Sequence, residues 1–262
     1  MFCFLIVLFF GYTLNAVEIE GFSAPSADAN LSFIRSGRVI QVNVKKGDSV
    51  KPGQVLARLN DDLEKTKLQQ LQTHLDHEAR TDAEKAKLTQ KKKDLIALEN
   101  AAKDGASSVK EVDNARLEVV QLEFSLKVIA FEKEQIKEQI DEQKILQKQT
   151  RLEALESGIV EEVSLERGES VERLKEVFRV VRINPLWVEV NIPLMNTQNL
   201  KIGSELTVLF PNFGETKIAK KGKIIYRSSI ADPGSETLKF RLEVENKEQR
   251  LVGERVKVLL EE

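Results

Sequence analysis

The sequence predicts an α+β chain of several modules: a small β-sandwich in two halves, a long α-helical coiled-coil hairpin inserted between them, and a small β-barrel after them. Three observations predict it. A glycine- and valine-rich motif occurs twice, beginning at Gly37 and at Gly158. The segment 61–150 between the copies has no proline and a single glycine, Gly105. Residues 184–262 return to alternating apolar and polar residues separated by turn residues.

The repeat reads Gly-x-Val-x-x-Val-x-(Val/Leu)-x-x-Gly-acid-Ser-Val in both copies, Gly37 to Val50 and Gly158 to Val171. Val42 and Val44 in one copy, and Val163 and Leu165 in the other, alternate as half-buried strands do. Gly37, Gly47, Gly53, Gly158 and Gly168 are read as turn residues, where a missing Cβ permits positive φ. With one residue inserted in the second copy, Val55-Leu56 and Val177-Phe178 continue each copy into a further strand. Neither copy can bury its apolar face alone, so the two close on each other as one sandwich.

Between the copies, Val112, Ala115, Val119, Leu122, Leu126, Ile129, Lys133, Ile136 and Ile140 follow the 3,4 spacing of a coiled-coil seam, with Lys133 its one polar interruption. The first arm is less regular. Leu68, Leu71, Leu75 and Ala79 set one phase and Leu88, Lys91, Leu95, Leu98 and Ala102 another. Lys103-Asp104-Gly105-Ala106-Ser107-Ser108 separates the arms, with a glycine to end one helix and Ser108 with Glu111 as a capping box for the next. Two arms of roughly 40 residues would each reach about 60 Å.

Segments around Leu186–Ile192, Ser204–Phe210, Lys221–Tyr226, Lys239–Val244 and Arg255–Leu260 read as barrel strands. The expected division is 1–16 a signal peptide or N-terminal anchor, 17–60 the first half-motif with an N-terminal strand, 61–150 the hairpin, 151–183 the second half-motif and 184–262 the barrel. Phe2 to Phe10 has the length of a signal-peptide core. A net charge of -2 argues against nucleic acid as a partner. Cys3 is the only cysteine, which leaves no disulfide framework and no cysteine metal site.

The order of these modules, and residues within them, resemble the membrane fusion proteins, the periplasmic adaptor family that includes HlyD-like and resistance-nodulation-division type efflux adaptors. Val44-Lys45-Lys46-Gly47-Asp48-Ser49-Val50-Lys51-Pro52-Gly53-Gln54-Val55-Leu56 is similar to that family's first lipoyl half-motif. Gly105 to Ala115 is similar to its hairpin turn, and Asn184-Pro185-Leu186-Trp187-Val188 to the opening of its barrel. The resemblance implies a split lipoyl-like barrel-sandwich hybrid carrying the hairpin. It also implies an adaptor, self-associated as a hexameric ring, between an inner-membrane transporter, favoured as resistance-nodulation-division type, and a TolC-like outer-membrane channel. The tip Lys103, Asp104, Gly105, Ala106, Ser107, Ser108 and Glu111 would dock the duct. The implied place is the periplasm, peripheral to or anchored in the inner membrane of a Gram-negative-type envelope. The sequence departs from the family at the tip: of the Arg, Leu and Ser that such adaptors carry there, only Ser108 is present, with Ala97 and Ala101 at the other positions. A membrane-proximal domain is expected to be missing.

No catalytic, cofactor or metal site is expected, and the chain is read as not an enzyme. His74 and His77 are the only histidines, and two ligands make an incomplete metal site. Asp61/Lys65, Glu134/Lys137 and Asp141/Lys144 read as the decoration of an exposed helix. Trp187 is read as barrel core. One alternative is an adaptor of an ATP-driven exporter or a type I secretion system. Another is a biotin or lipoyl carrier, which would need a modifiable lysine at the joint that the hairpin occupies here.

Overall fold

The structure, a computed structural model, describes residues 17–211 and 217–260. The expected signal or anchor at 1–16 lies outside the described residues, as does Cys3. Strands β1 (Val17–Ser32), β2 (Gly37–Val42), β3 (Ser49–Val50) and β4 (Val55–Leu59) precede helices α1 (Asp62–Asp76), α2 (Ala79–Lys103) and α3 (Val109–Lys148). Then come β5 (Arg151–Glu153), β6 (Gly158–Val163), β7 (Ser170–Val171), β8 (Glu176–Pro193), β9 (Glu205–Phe210), β10 (Ile218–Asp232), β11 (Thr237–Val244) and β12 (Arg255–Leu260).

The two copies of the repeat exchange strands. β3 of the first copy pairs with β6 of the second, and β7 of the second pairs with β2 of the first. Gly47 N–H donates to the Val160 carbonyl and Gly168 N–H to the Val39 carbonyl, each at 2.8 Å. Asn43 N–H donates to Leu56 and Ser164 N–H to Val177, again each at 2.8 Å. A constant offset of 121 residues relates every one of these pairs, so the copies keep one register and the inserted residue expected from sequence is absent. Phe33, Val39, Leu56 and Leu59 of one copy pack with Val160, Val177 and Phe178 of the other in a single core. Exchange is the physical reason for that core: each half leaves an apolar face that only the other covers.

Gly47, Gly53 and Gly168 have φ of 91°, 77° and 97° and do turn the chain. Gly37 and Gly158 do not. They open β2 and β6, and at Gly158 a Cβ would lie 2.7 Å from both Val180 Cγ1 and the Val181 carbonyl oxygen. Close approach of strands, and not turn geometry, demands glycine there.

The barrel is a closed ring of six antiparallel strands in the order β1, β12, β9, β10, β11, β8 and back to β1. Leu186, Val188, Val190, Ile192, Val208, Phe210, Ile224, Phe240, Leu242 and Val258 fill it. This corrects the expected boundary, because the first part of β1 pairs with β12 from Val17↔Leu260 to Phe22↔Arg255 and so belongs to the barrel. The strand escapes a local reading, since its partners lie far along the chain. Closure leaves no open edge to aggregate. β1 and β8 run through both modules, paired from Gly21↔Val190 to Ser32↔Glu176, and form a continuous two-stranded spine.

Trp187 is not barrel core. Leu186, Val188 and Val190 take the inward positions of β8, so the pleat turns Trp187 outward, where the Arg241 guanidinium lies 4.2 Å from its ring centroid. Glu189, on the same outer face, holds Arg241 at 2.6 Å and Lys239 at 2.6 Å.

The first arm is two helices, not one. α1 stops at Asp76, His77 is extended with ψ of 97°, and α2 begins after Glu78. The change of apolar phase seen in the sequence is the physical cause: a straight helix could not keep both phases against α3. All nine seam positions from Val112 to Ile140 are buried or half-buried on α3, while α2 buries no residue fully. Cross-arm ion pairs line the flanks, Arg80–Glu132 at 2.8 Å, Lys91–Glu118 at 2.6 Å, Lys92–Glu123 at 2.7 Å and Arg116–Glu99 at 2.9 Å.

Candidate docking tip and the joint that carries it

At the far end of the arm the chain reverses between Lys103 and Val109. Gly105, with φ of 73°, sends its N–H to the Ala102 carbonyl at 3.2 Å, and Ala106 sends its own to Ala101 at 2.8 Å. These are the paired bonds of a Schellman motif, which satisfies carbonyls that the end of a helix leaves open. Ser108 then caps α3. Its hydroxyl accepts from the Glu111 N–H at 3.3 Å, and the Glu111 carboxylate accepts from the Ser108 N–H at 2.8 Å. Ser107 adds a third bond to the same carboxylate at 3.0 Å. The Ser108 backbone N–H, then the Ser108 and Ser107 hydroxyls, hold the Glu111 carboxyl below its ordinary range.

The structure thus brings the seven tip residues named from sequence into one short turn. It is an exposed, polar turn fixed by its own hydrogen bonds, with the Val109 side chain beside it also exposed. A surface of this kind can dock another protein. It has no enclosed volume in which to hold a small molecule.

At the near end, where the arm meets the sandwich, lies a polar joint that the sequence reading missed. Arg35 reaches Glu64 of α1 at 2.7 Å and the Leu146 carbonyl of α3 at 3.0 Å. Gln143 donates to the Glu64 carbonyl at 3.3 Å, and Gln147 to the Asp61 carboxylate at 3.3 Å. Asp61 meets Lys65 at 2.8 Å and Arg58 at 3.6 Å.

Asp61 is therefore no surface decoration, since its side chain is 0% exposed. Burial pushes its carboxyl up, but the bonds from Lys65 and Gln147 and the charges of Lys65 and Arg58 outweigh burial and bring it below its ordinary value. Asp61 and Lys65 are four residues apart and the exposed pairs Glu134/Lys137 and Asp141/Lys144 three, both ordinary spacings on a helix surface. Only proximity to the repeat, at Leu59, marks it as different.

His74 and His77 are both exposed, and the helix ends between them, so they do not share a helix face. Among the described residues no group of three His, Cys, Asp or Glu is arranged to hold a metal, and no helix is long and apolar enough to cross a membrane.

Comparison with solved structures shows the same architecture elsewhere. MacA from Actinobacillus actinomycetemcomitans superposes with a TM-score of 0.77 at 17% identity, over 94% of this chain and 78% of that one. The membrane fusion protein Spr0693 from Streptococcus pneumoniae R6 gives 0.60 at 18% identity, over 92% of this chain and 97% of that one. The chain shares the fold of these proteins. Residues 185–258 match the family model described as CusB-like, beta-barrel domain, and that segment covers five of the six barrel strands. In sequence, the fatty acid resistance protein FarA of Neisseria gonorrhoeae is 24% identical over 75% of this chain. The chain spans 59% of the length of that relative.

Proposed function

We propose that this chain is a membrane fusion protein that acts as an envelope adaptor, not an enzyme. It would link an inner-membrane transporter to an outer-membrane duct of the TolC kind in an export complex. The observation that carries the reading is the placing of the tip. A capped polar turn stands at the end of a helical pair whose longer member, at 40 residues, extends about 60 Å from the sandwich. We read that pair as a stiff coiled-coil rod, supported by the regular seam on α3. The polar joint at its base fixes it to the sandwich, and the β1–β8 spine carries the connection into the barrel.

The CusB-like match of the barrel supports a transporter of the resistance-nodulation-division type. A hexameric ring and a periplasmic place against the inner membrane complete the reading. The name of the gonococcal relative makes fatty acids the first cargo to test. Deleting the gene in its own host is expected to raise susceptibility to fatty acids or other toxic amphiphiles, with recovery on re-expression and the protein in the periplasmic fraction. Unchanged susceptibility across such a panel, with the protein in the cytoplasm, would overturn the reading.

A further inference from the structure

A crevice runs along β1 from the base of the helical pair toward the barrel, and neither the tip nor the polar joint uses it. At the arm end it is a cavity of about 480 Å³ between the last turn of α3, the end of β1 and β5, with Phe33, Ile34, Ile145 and Leu155 in its wall. A second cavity of about 370 Å³ continues as far as Trp187, and Leu31 and Leu155 line both. Each volume lies within the range of small-molecule sites. Ser26 to Ser32, which spans the two, is about 20 Å of extended strand.

The internal repeat accounts for both the apolar wall and the room. The offset of 121 residues that relates the copies sets Leu155 on Ile34 and Ala154 on Phe33. Ile34 is 50% and Leu155 78% exposed, so both copies show a large apolar side chain at the same place. Phe33 fills the core on its own side. Ala154, in the equivalent position, leaves space, and the second cavity opens against it.

Charge sets the class of occupant. Lys148 and Arg151 line the arm end, exposed and paired with no carboxylate among the described residues, against the single acid Glu153. At the Trp187 end the charges are already matched: Arg182 pairs with Glu156 at 2.9 Å and Asp28 with Arg179 at 2.7 Å. The crevice is therefore net cationic at one end and neutral toward the other, which suits a molecule with an anionic head and an apolar chain. Arg151 offers the planar donor fork that matches a carboxylate.

We propose that this crevice binds a single-chain carboxylate amphiphile, its head on Lys148 and Arg151 and its alkyl chain along Leu31 and Leu155 toward Trp187. The site concerns a ligand of the chain itself and does not depend on the export reading.

Trp187 is the only tryptophan, so its fluorescence reports occupancy of the far end. Titrating the purified chain with dodecanoate below its micellar concentration is expected to shift the emission saturably. Affinity should rise about two- to fourfold per methylene from octanoate to dodecanoate, as burial of an alkyl chain requires. Dodecanol, which lacks the charge, and the Lys148→Gln/Arg151→Gln variant should each lower affinity about tenfold, and Leu155→Asp should abolish the shift. These three side chains are exposed, so the circular dichroism of the variants should match that of the parent. An emission change that never saturates, or parental affinity in both Leu155→Asp and the double variant, would overturn the site. A single-chain phospholipid that binds about tenfold more tightly than dodecanoate would overturn the carboxylate head. Saturable binding by a chain whose deletion leaves susceptibility unchanged would keep the site and remove the adaptor.

Discussion

Lys133 of α3 bonds the carboxylate of Glu78 at the point where α1 gives way to α2. The one polar residue in the seam thus faces the one break in the opposite arm. Glu78 is drawn below its ordinary carboxylate range by the hydrogen bond from Lys133 and by its charge. The pair marks a joint in the rod, and an apolar residue on α3 should close it.

We expect Lys133→Leu to raise the unfolding temperature by about 2–4 °C, the shift that accompanies about 1 kcal/mol of added apolar burial in a chain of this size. Circular dichroism at 222 nm would follow it. A lower melting temperature would mean that the ion pair, and not the missing apolar contact, holds the arms together here.

Asp61 gives the joint at the base of the rod a dependence on pH. Its carboxyl sits below the ordinary value of 3.8. Its contribution is therefore full above that value and is lost as the pH falls through the lowered one. Asp61→Asn removes the charge that Lys65 and Arg58 face. It should cost about 1–3 kcal/mol at neutral pH, and the difference from the parent should shrink below about pH 4. Urea unfolding at several pH values reads both effects, and a cost that does not vary with pH would contradict the assignment.

The internal symmetry predicts a stabilising change. Gly53 N–H donates to the Ala154 carbonyl at 2.8 Å, and its counterpart Leu174 donates to Phe33 at 2.8 Å. Both have positive φ, 77° and 63°. Leucine is strained in that conformation and its side chain is exposed, so Leu174→Gly should gain about 1 kcal/mol while Gly53→Leu loses a similar amount. Denaturant midpoints of the two variants should move in opposite directions.

Gly158 differs from Gly53 in what it excludes. A side chain there would enter the space of Val180 and the Val181 carbonyl, so Gly158→Val should destabilise by about 1–3 kcal/mol. Loss of soluble protein on expression would agree with the upper end, and a neutral result would show that β6 and β8 can separate without cost.

Much of this architecture was legible because its signals are local. The nine seam positions, the capping box at Ser108 and Glu111, and the turns at Gly47 and Gly168 each depend on residues a few places apart. What escaped depends on distant partners. β1 completes the barrel through pairs such as Val17↔Leu260, which no window of sequence contains. Asp61 looks like any helix-surface acid until Arg58, Lys65 and Gln147 gather round it. Trp187 could have been placed correctly, since Glu189 shares its parity on β8 and marks that face as outward.

The tip provides a functional test of the same logic. Ser108→Pro, or a bulky residue at Gly105, should impair export while the sandwich and barrel stay folded. The positive φ of Gly105 and the N–H that Ser108 gives to Glu111 belong to the turn alone. Export at the parental level in such variants would count against the tip as docking element.

The most direct test of the connecting role is photo-cross-linking from the tip in living cells, with a benzophenone amino acid in place of Ala106. The adaptor reading predicts an adduct with an outer-membrane channel protein, lost when Gly105 is replaced by tryptophan. Adducts absent from the outer-membrane fraction, in cells whose export depends on the chain, would contradict it.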